Sequence, residues 1–509
     1  MKPAPDLFNL VHSLDKFEKR YVTLFLSSGF YRNNKSSLAL FRAISRQKEF
    51  DETALKKQLG RSVTARFSAE KNKLFDLILE SMFFLYRDSS PERKIVRERL
   101  RAWFLFQKGL KQAGWKYFHR AVRLAESYEI TPQLAMLAYQ QNQEVRLSAA
   151  EDALFSSAEF HRRDERLTRG LSEDLVLHTL FTEMIQVQKH HGEYTPAAEK
   201  EFRAILRHPL LKPSRKLISF SAQMSRIEIR SLYYSMRGDH DKAYECFVEL
   251  IAAMETSETY IHRMYVRYVN ALSNQLMHAV LSHRYEVVPG LVEKTMEANR
   301  GILDYFSYDI VYNEIIGIRL FELVAYKNRA DTAKGPAMME YLEKMFARYR
   351  PQMRDTLVVG YLFLFGVYHF YLGDRKKALL HLNDLVDSTG MEAGLNFQCM
   401  ARLVRLVIFY ELGDAELVNS QCQSVQRLLR KHGRLGAFEQ ALLVFLRKTV
   451  TQSGRPATQK LLSLAHRLAP GSYSYGAWSD FEFGSWLKSR IEKRPLRELI
   501  AARLKGKGK

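Results

Sequence analysis

Tyr234-Ser235-Met236-Arg237-Gly238-Asp239, with Ala243 five residues and Phe247 nine residues beyond the glycine, is the stretch that decides how this chain folds. A run rich in bulky apolar residues stops at a glycine, which accepts the left-handed backbone that ends a helix. The aspartate behind it offers a side-chain oxygen to the free amides of a following helix. Ala243 then leaves room for two helices to come close, and Phe247 fills the space next to the crossing. Such a segment is an antiparallel helical hairpin. The same arrangement recurs at Tyr371-Leu372-Gly373-Asp374, with Ala378 and Leu382 at the same two distances.

Working outward from these two turns, equivalent ones fall at Gly192, His283, Asn328, Gly413 and Gly454. The period is about 45 residues, in the range of helical-hairpin arrays. Asn328 keeps Ala333 five residues on, and Gly413 is followed by Val418 and Cys422. Upstream, Gly109 precedes Gly114, Phe118 and Ala121, and a weaker turn near Ser148 and Ala149 fills the gap to Gly192. A small residue seven before the turn glycine (Ser231, Gly366), the Gly-Asp turn, and the small-and-bulky pair after it resemble the tetratricopeptide repeat. Longer helices and partial signatures set this chain apart from the family's usual unit. The resemblance implies an all-α fold, a right-handed superhelical solenoid of antiparallel hairpins with a partner-binding groove, here over residues 96–470.

Residues 1–95 read as a separate helical domain, with a long helix over 7–30 and others near 37–47, 51–58 and 63–86. Phe17-Glu18-Lys19-Arg20-Tyr21 and Glu70-Lys71-Asn72-Lys73-Leu74-Phe75 resemble the opening domain of bacterial helical-repeat proteins, which implies no known activity. The short helix, the Gly60 turn and a helix bearing Arg61, Arg66, Lys71 and Lys73 also fit a helix-turn-helix reader of DNA. Leu74, Leu77, Ile78, Met82 and Leu85 give that last helix a core face, so the basic residues equally fit a solvated opposite face. At the other end, residues 471–509 combine Tyr473, Tyr475, Trp478, Phe481, Phe483 and Trp486 with a basic tail, as expected of a cap closing the last repeat. The cluster could instead hold a peptide or stack a base.

A formal charge of +22, from 78 basic and 56 acidic residues, suits nucleic acid, an anionic membrane or an acidic protein, and being spread along the chain it equally fits solvated helix faces. Three well-separated cysteines (Cys246, Cys399, Cys422) form neither a metal knuckle nor a disulfide framework, and with no signal-peptide pattern at Met1–Asp6 a cytoplasmic protein is expected. The apolar run 357–372 is interrupted by Gly360, Gly366 and His369 and reads as a buried helix, not a membrane span.

No phosphate loop, zinc-protease motif or nucleophile elbow occurs. His190-His191-Gly192-Glu193 and Asp239-His240-Asp241 contain metal-ligand residue types, but adjacent helical positions point apart and Asp239 has a capping role. Cys246 lies on a packing face, where a thiol lacks the positive field of a nucleophile. The expectation is a non-enzymatic scaffold with no catalytic residue, cofactor or metal, binding a protein or peptide partner. Asn270 and Asn274, one helical turn apart, and Arg319 in the next unit are the candidate groove contacts, carboxamides for an extended backbone and a guanidinium for an acidic group. The alternative is a nucleic-acid-associated regulatory protein using the basic N-terminal domain and tail.

Overall fold

The computed structural model describes residues 6–28, 35–59, 64–147, 157–191, 194–302, 308–329, 331, 333–353, 355–388, 394–450, 481 and 483–500. Among these, every regular element is a helix, so the fold is all-α. The expected turns at Gly192, Gly454 and Ser148–Ala149, the Gly60 turn with Arg61, Tyr473, Tyr475 and Trp478, and the basic tail beyond 500 lie outside the described residues.

The N-terminal helices are α1 (Asp6–Ser13), α2 (Lys16–Ser27), α3 (Lys35–Arg46), α4 (Glu52–Gln58) and α5 (Phe67–Leu85). The expected single helix over 7–30 is in fact two. Asp15 accepts from the Glu18 amide at 2.7 Å while Glu18 accepts from the Asp15 amide at 2.8 Å, a reciprocal cap that starts α2 afresh. Leu7, Val11, Val22, Leu26, Leu40, Ile44, Leu55, Leu74 and Ile78 close a core of their own. Lys56 and Lys71 both pair with Glu52, at 2.7 and 3.2 Å, and both sit over the Phe67 ring, clamping α4 to α5. These two lysines hold the Glu52 carboxyl below the usual range. Lys71, one of the residues that suggested a DNA reader, is thus part of that clamp.

Next come α6 (Pro91–Gln107), α7 (Lys111–Ser127), α8 (Thr131–Leu147), α9 (Ser157–His191), α10 (Pro196–Leu206), α11 (Phe220–Met236), α12 (His240–Met254) and α13 (Glu258–Arg263). The remainder are α14 (Tyr265–Leu281), α15 (Val288–Ile302), α16 (Tyr308–Asn328), α17 (Lys334–Tyr349), α18 (Asp355–Leu372), α19 (Arg375–Ser388), α20 (Leu395–Glu411), α21 (Ala415–Lys431), α22 (Ala437–Thr449) and α23 (Phe483–Glu492). Packing divides the chain into two compact units, one of residues 1–177, 213–223 and 258–263, the other of 178–212, 224–257 and 264–509. In the second unit, α14 to α22 each pack on the next helix, and α14, α16, α18, α20 and α22 also pack on one another in succession.

The turns follow the expected chemistry. Gly109, Gly238, Gly373 and Gly413 have φ of +73°, +72°, +92° and +75°, and His283 takes the same left-handed region at 60°. Asp374 donates its amide to the His369 carbonyl at 2.9 Å, and its carboxylate then accepts from the Lys377 amide at 3.0 Å, so one residue closes one helix and opens the next. Asp239 and Asp414 cap their helices in the same manner. Residues five and nine after the turn are buried in each case: Ala243 and Phe247, Val288 and Val292, Ala378 and Leu382, Val418 and Cys422.

Asn328 departs from this register. It is the buried last residue of α16, with its carboxamide on the Val324 carbonyl at 2.9 Å, and the cap is Asp331, which accepts from the Lys334 amide at 2.8 Å. Ala333 therefore stands at the helix start, and Gly335, against the Tyr368 hydroxyl, takes the small position with Met339 as its bulky companion. Helix α18 is long and apolar enough to cross a membrane, yet it lies mostly buried among neighbouring helices. At the C-terminal end, Phe481, Phe483 and Trp486 join the main core, with the Trp486 indole donating to Glu411 at 2.8 Å.

Gly366 is the small residue seven before the Gly373 turn. A side chain there would meet Leu382 first, its Cγ 2.5 Å from the Cβ position, with the Ala378 carbonyl at 3.3 Å. Replacing glycine by alanine in a helix ordinarily gains about 1 kcal/mol, but overpacking costs about 1–3 kcal/mol. Gly366→Ala and, more strongly, Gly366→Leu are therefore expected to lower stability in urea unfolding; an alanine variant as stable as the parent would contradict this packing.

Candidate functional site

Ser90 starts α6 by accepting from the Arg93 amide at 3.3 Å, with Pro91 preset in the first turn. The α6–α7 hairpin is tight because Gly114 lies against Phe106, whose ring atoms would be 2.5 Å from a Cβ there. Ile95, Glu98 and Ala102 turn inward on α6, packing with Phe118 and Ala121 of α7. Val96, Leu100 and Phe104 form a second apolar row, spaced four apart on another face of the helix. With Phe83 and Phe84 of α5 and Tyr117 of α7, this row lines a cleft of about 840 Å³.

Phe83 and Phe104 are 61% and 55% exposed, so large apolar rings stand open to solvent along the cleft. Arg87, Arg93, Arg97 and Arg101 border the cleft. A second cleft, of about 650 Å³, adjoins it and is lined by Lys94, Arg97, Glu98, Arg101, Arg120 and Arg123. Glu98 is buried and takes Arg97 at 2.9 Å and Arg101 at 3.0 Å. Arg101 and Arg120 also lie over the Tyr117 ring, 5.8 and 5.0 Å from its centre. The arrangement is an apolar channel flanked by a row of cations.

None of the residues lining the two clefts was singled out from sequence, because they form no motif there. The available signal was that α6 carries more apolar residues than one packed face requires. Of the residues that were singled out, Asn270 is exposed and Asn274 half-buried on α14, while Arg319 on α16, the helix packed beside it, pairs with the buried Glu322 one turn along. Glu322 also accepts from the Tyr326 hydroxyl at 2.7 Å, so the Arg319 guanidinium belongs to a local network.

His191 pairs with Glu201 at 3.0 Å and its ring stands at 83° to that of His190; Gly192 and Glu193 lie outside the described residues. Asp239 caps α12, whereas Asp241 reaches Arg284 at 2.9 Å, so the two carboxylates flanking His240 diverge. Cys246 is buried with the Arg230 guanidinium 3.7 Å from its sulfur, and burial pushes the thiol up, as it does for Cys399 and Cys422 to about 11. Protonated thiols of this kind pack as small apolar groups. The chain matches no protein-family model, no curated protein and no solved structure.

His278, stacked on Phe247 and 5.4 Å from the His240 ring, is buried, and burial lowers its pKa from 6.5 to about 4. Above the unfolded value neither state binds a proton there, so this group adds no pH slope. Between the two values the unfolded chain takes up the proton and the folded chain does not, so stability falls as pH falls, by on the order of 3 kcal/mol once below the folded value. Urea unfolding at pH 7 and pH 4.5 is expected to show most of that loss, and His278→Leu to show a shallower slope; an unchanged slope would contradict the assignment.

Proposed function

We propose that this chain is a non-enzymatic, cytoplasmic interaction scaffold: a helical N-terminal domain (1–95), a right-handed tetratricopeptide-like solenoid of hairpins (96–470) and a closing segment (471–509). Support for the array comes from the recurring turn register and from the succession α14, α16, α18, α20, α22, each helix packed on the next of its kind. Asn270, Asn274 and Arg319 remain the proposed contacts on the first helices of that array.

The single observation that carries the binding role is the arginine-bordered apolar cleft on α5, α6 and α7. Its complement is an amphipathic helix that lays an apolar face on Phe83, Leu100 and Phe104 and directs carboxylates at Arg101, Arg120 and Arg123. Charge complementarity of this kind steers association and rejects basic partners. The second reading, nucleic-acid association, draws on the same cations and on the aromatic rings beside them, which could stack single-stranded bases.

The test is to pan the full chain against displayed single amphipathic helices whose polar faces are acidic in one half of the library and basic in the other. Acidic faces are expected to be enriched, and both Leu100→Asp and Arg101→Glu to weaken the selected peptides about tenfold. No enrichment, or binding that survives both changes, would overturn the reading. Oligonucleotide binding with a steep salt dependence, lost in Arg101→Glu but kept in Leu100→Asp, would put the nucleic-acid function in its place.

A further inference from the structure

Three consecutive helices bring a carboxylate and two imidazoles to one point. Glu343 comes from α17, His369 from the last turn of α18 and His381 from α19. His369 Nε2 lies 2.8 Å from Glu343 Oε1, and His381 Nε2 lies 3.0 Å from the same oxygen. One ligand atom from each residue falls within 4.8 Å of the other two. The imidazole rings are stacked, 5.4 Å apart and 8° from parallel. His369 is almost wholly buried, His381 largely so, and Glu343 is about a third open to solvent, its side chain 29% exposed.

The backbone fixes this constellation. The His369 carbonyl accepts the Asp374 amide at the Gly373 turn, which pins the end of α18. Gly366 precedes His369 by one turn, Ala378 precedes His381 by one turn, and the close contact of α18 and α19 at Gly366 therefore places the two rings side by side. On α17, Leu342 and Phe346 are buried beside Glu343, which turns its carboxylate toward the rings.

We infer that Glu343, His369 and His381 form a binding site for a divalent transition metal ion of the zinc type. Two neutral imidazoles and one carboxylate are a standard donor set for such an ion, with metal–nitrogen and metal–oxygen distances of about 2.0–2.2 Å. Tetrahedral ligands at those distances stand roughly 3.3 Å apart, so the two carboxylate–imidazole spacings open by a few tenths of an ångström, while the stacked imidazoles turn so that their Nε2 atoms converge on the ion. Each imidazole binds through its Nε2 lone pair with the ring proton on Nδ1, a tautomer change that releases no proton from a neutral ring. Three protein ligands leave a fourth position, on the side where Glu343 meets solvent, for water. This departs from the expectation of a metal-free chain. Residues 343, 369 and 381 have no motif spacing and meet only through the hairpin packing.

The experiment uses the full chain purified without a polyhistidine tag, titrated with Zn²⁺ against a chromophoric chelator, together with His381→Gln and Glu343→Gln. Those two are preferred because their side chains are the more exposed ones, and circular dichroism and metal-free urea midpoints establish that each variant folds. The parent is expected to bind about one ion per chain, each variant about a hundredfold or more weaker, and added Zn²⁺ to raise the thermal midpoint of the parent only. Cobalt in place of zinc should give visible absorption in the parent that both variants lack. A parent that binds no zinc, or zinc retained equally in both variants, would overturn the assignment; the latter would place the ion elsewhere, for instance at His190 and His191.

Discussion

The structure depends on one constraint: two helix backbones can come close only where side chains are absent or small. Gly366 against Leu382, Gly335 against Tyr368 and Gly114 against Phe106 are the points where it is met most tightly. Interiors are packed as densely as organic crystals, so a methyl group at such a point moves a helix instead of filling a gap. Everything set by the spacing of the hairpins follows from these positions. The stacking of His369 on His381 is one case, because each ring sits one turn beyond a residue that makes the contact.

The same geometry explains the contrast between α18 and α6. Helix α18 packs on four others, α16, α17, α19 and α20, and is apolar all round, with Tyr361 and Phe365 on Phe346 of α17, Phe363 on Phe397 of α20 and Phe370 on Phe481. A helix enclosed in this way has no polar face to show. Helix α6 carries two apolar rows but buries only the one formed with α7. At about 25 cal/mol per Å² of apolar surface removed from water, covering Leu100, Phe104 and Phe83 is a substantial driving force that the described fold leaves unused.

Helix class, turn positions and the small-and-bulky pairs were legible from sequence because each rests on local chemistry: a left-handed glycine, a capping aspartate, a side chain of the right size. Local chemistry also misled where a second local choice competed. Asp15-Lys16-Phe17-Glu18 breaks an apparently continuous apolar pattern, since its reciprocal cap is closed by a glutamate and the flanking periodicity hides it. Near residue 328 an asparagine imitates a turn, while Asp331 and Gly335 shift the cap and the close contact by a few residues. The Glu343, His369 and His381 cluster was not legible at all. Its members belong to three helices, and only the crossing angle and depth of the hairpins decide that their tips meet. The cleft was scarcely legible, since its arginines entered only the overall basic excess and its aromatics carry no motif of their own.

Glu98 bears on what the cleft accepts. It is buried on the inward face of α6, where it draws Arg97 and Arg101 together at 2.9 and 3.0 Å. A carboxylate at that place removes part of the positive potential and, together with Asp88, takes up the Arg97 guanidinium, so Arg101, held by Glu98 through one nitrogen, is the oriented donor left to the cleft. Oriented guanidinium groups suit discrete carboxylates, which bind them through paired hydrogen bonds. A nucleic-acid backbone gains most from many mobile cations whose counter-ions it displaces, and a buried glutamate beneath the strand would repel it. The apolar row beside these arginines adds a requirement that a phosphate chain cannot meet and an amphipathic helix can. Both features favour a folded acidic helix over a polynucleotide as the occupant of this surface.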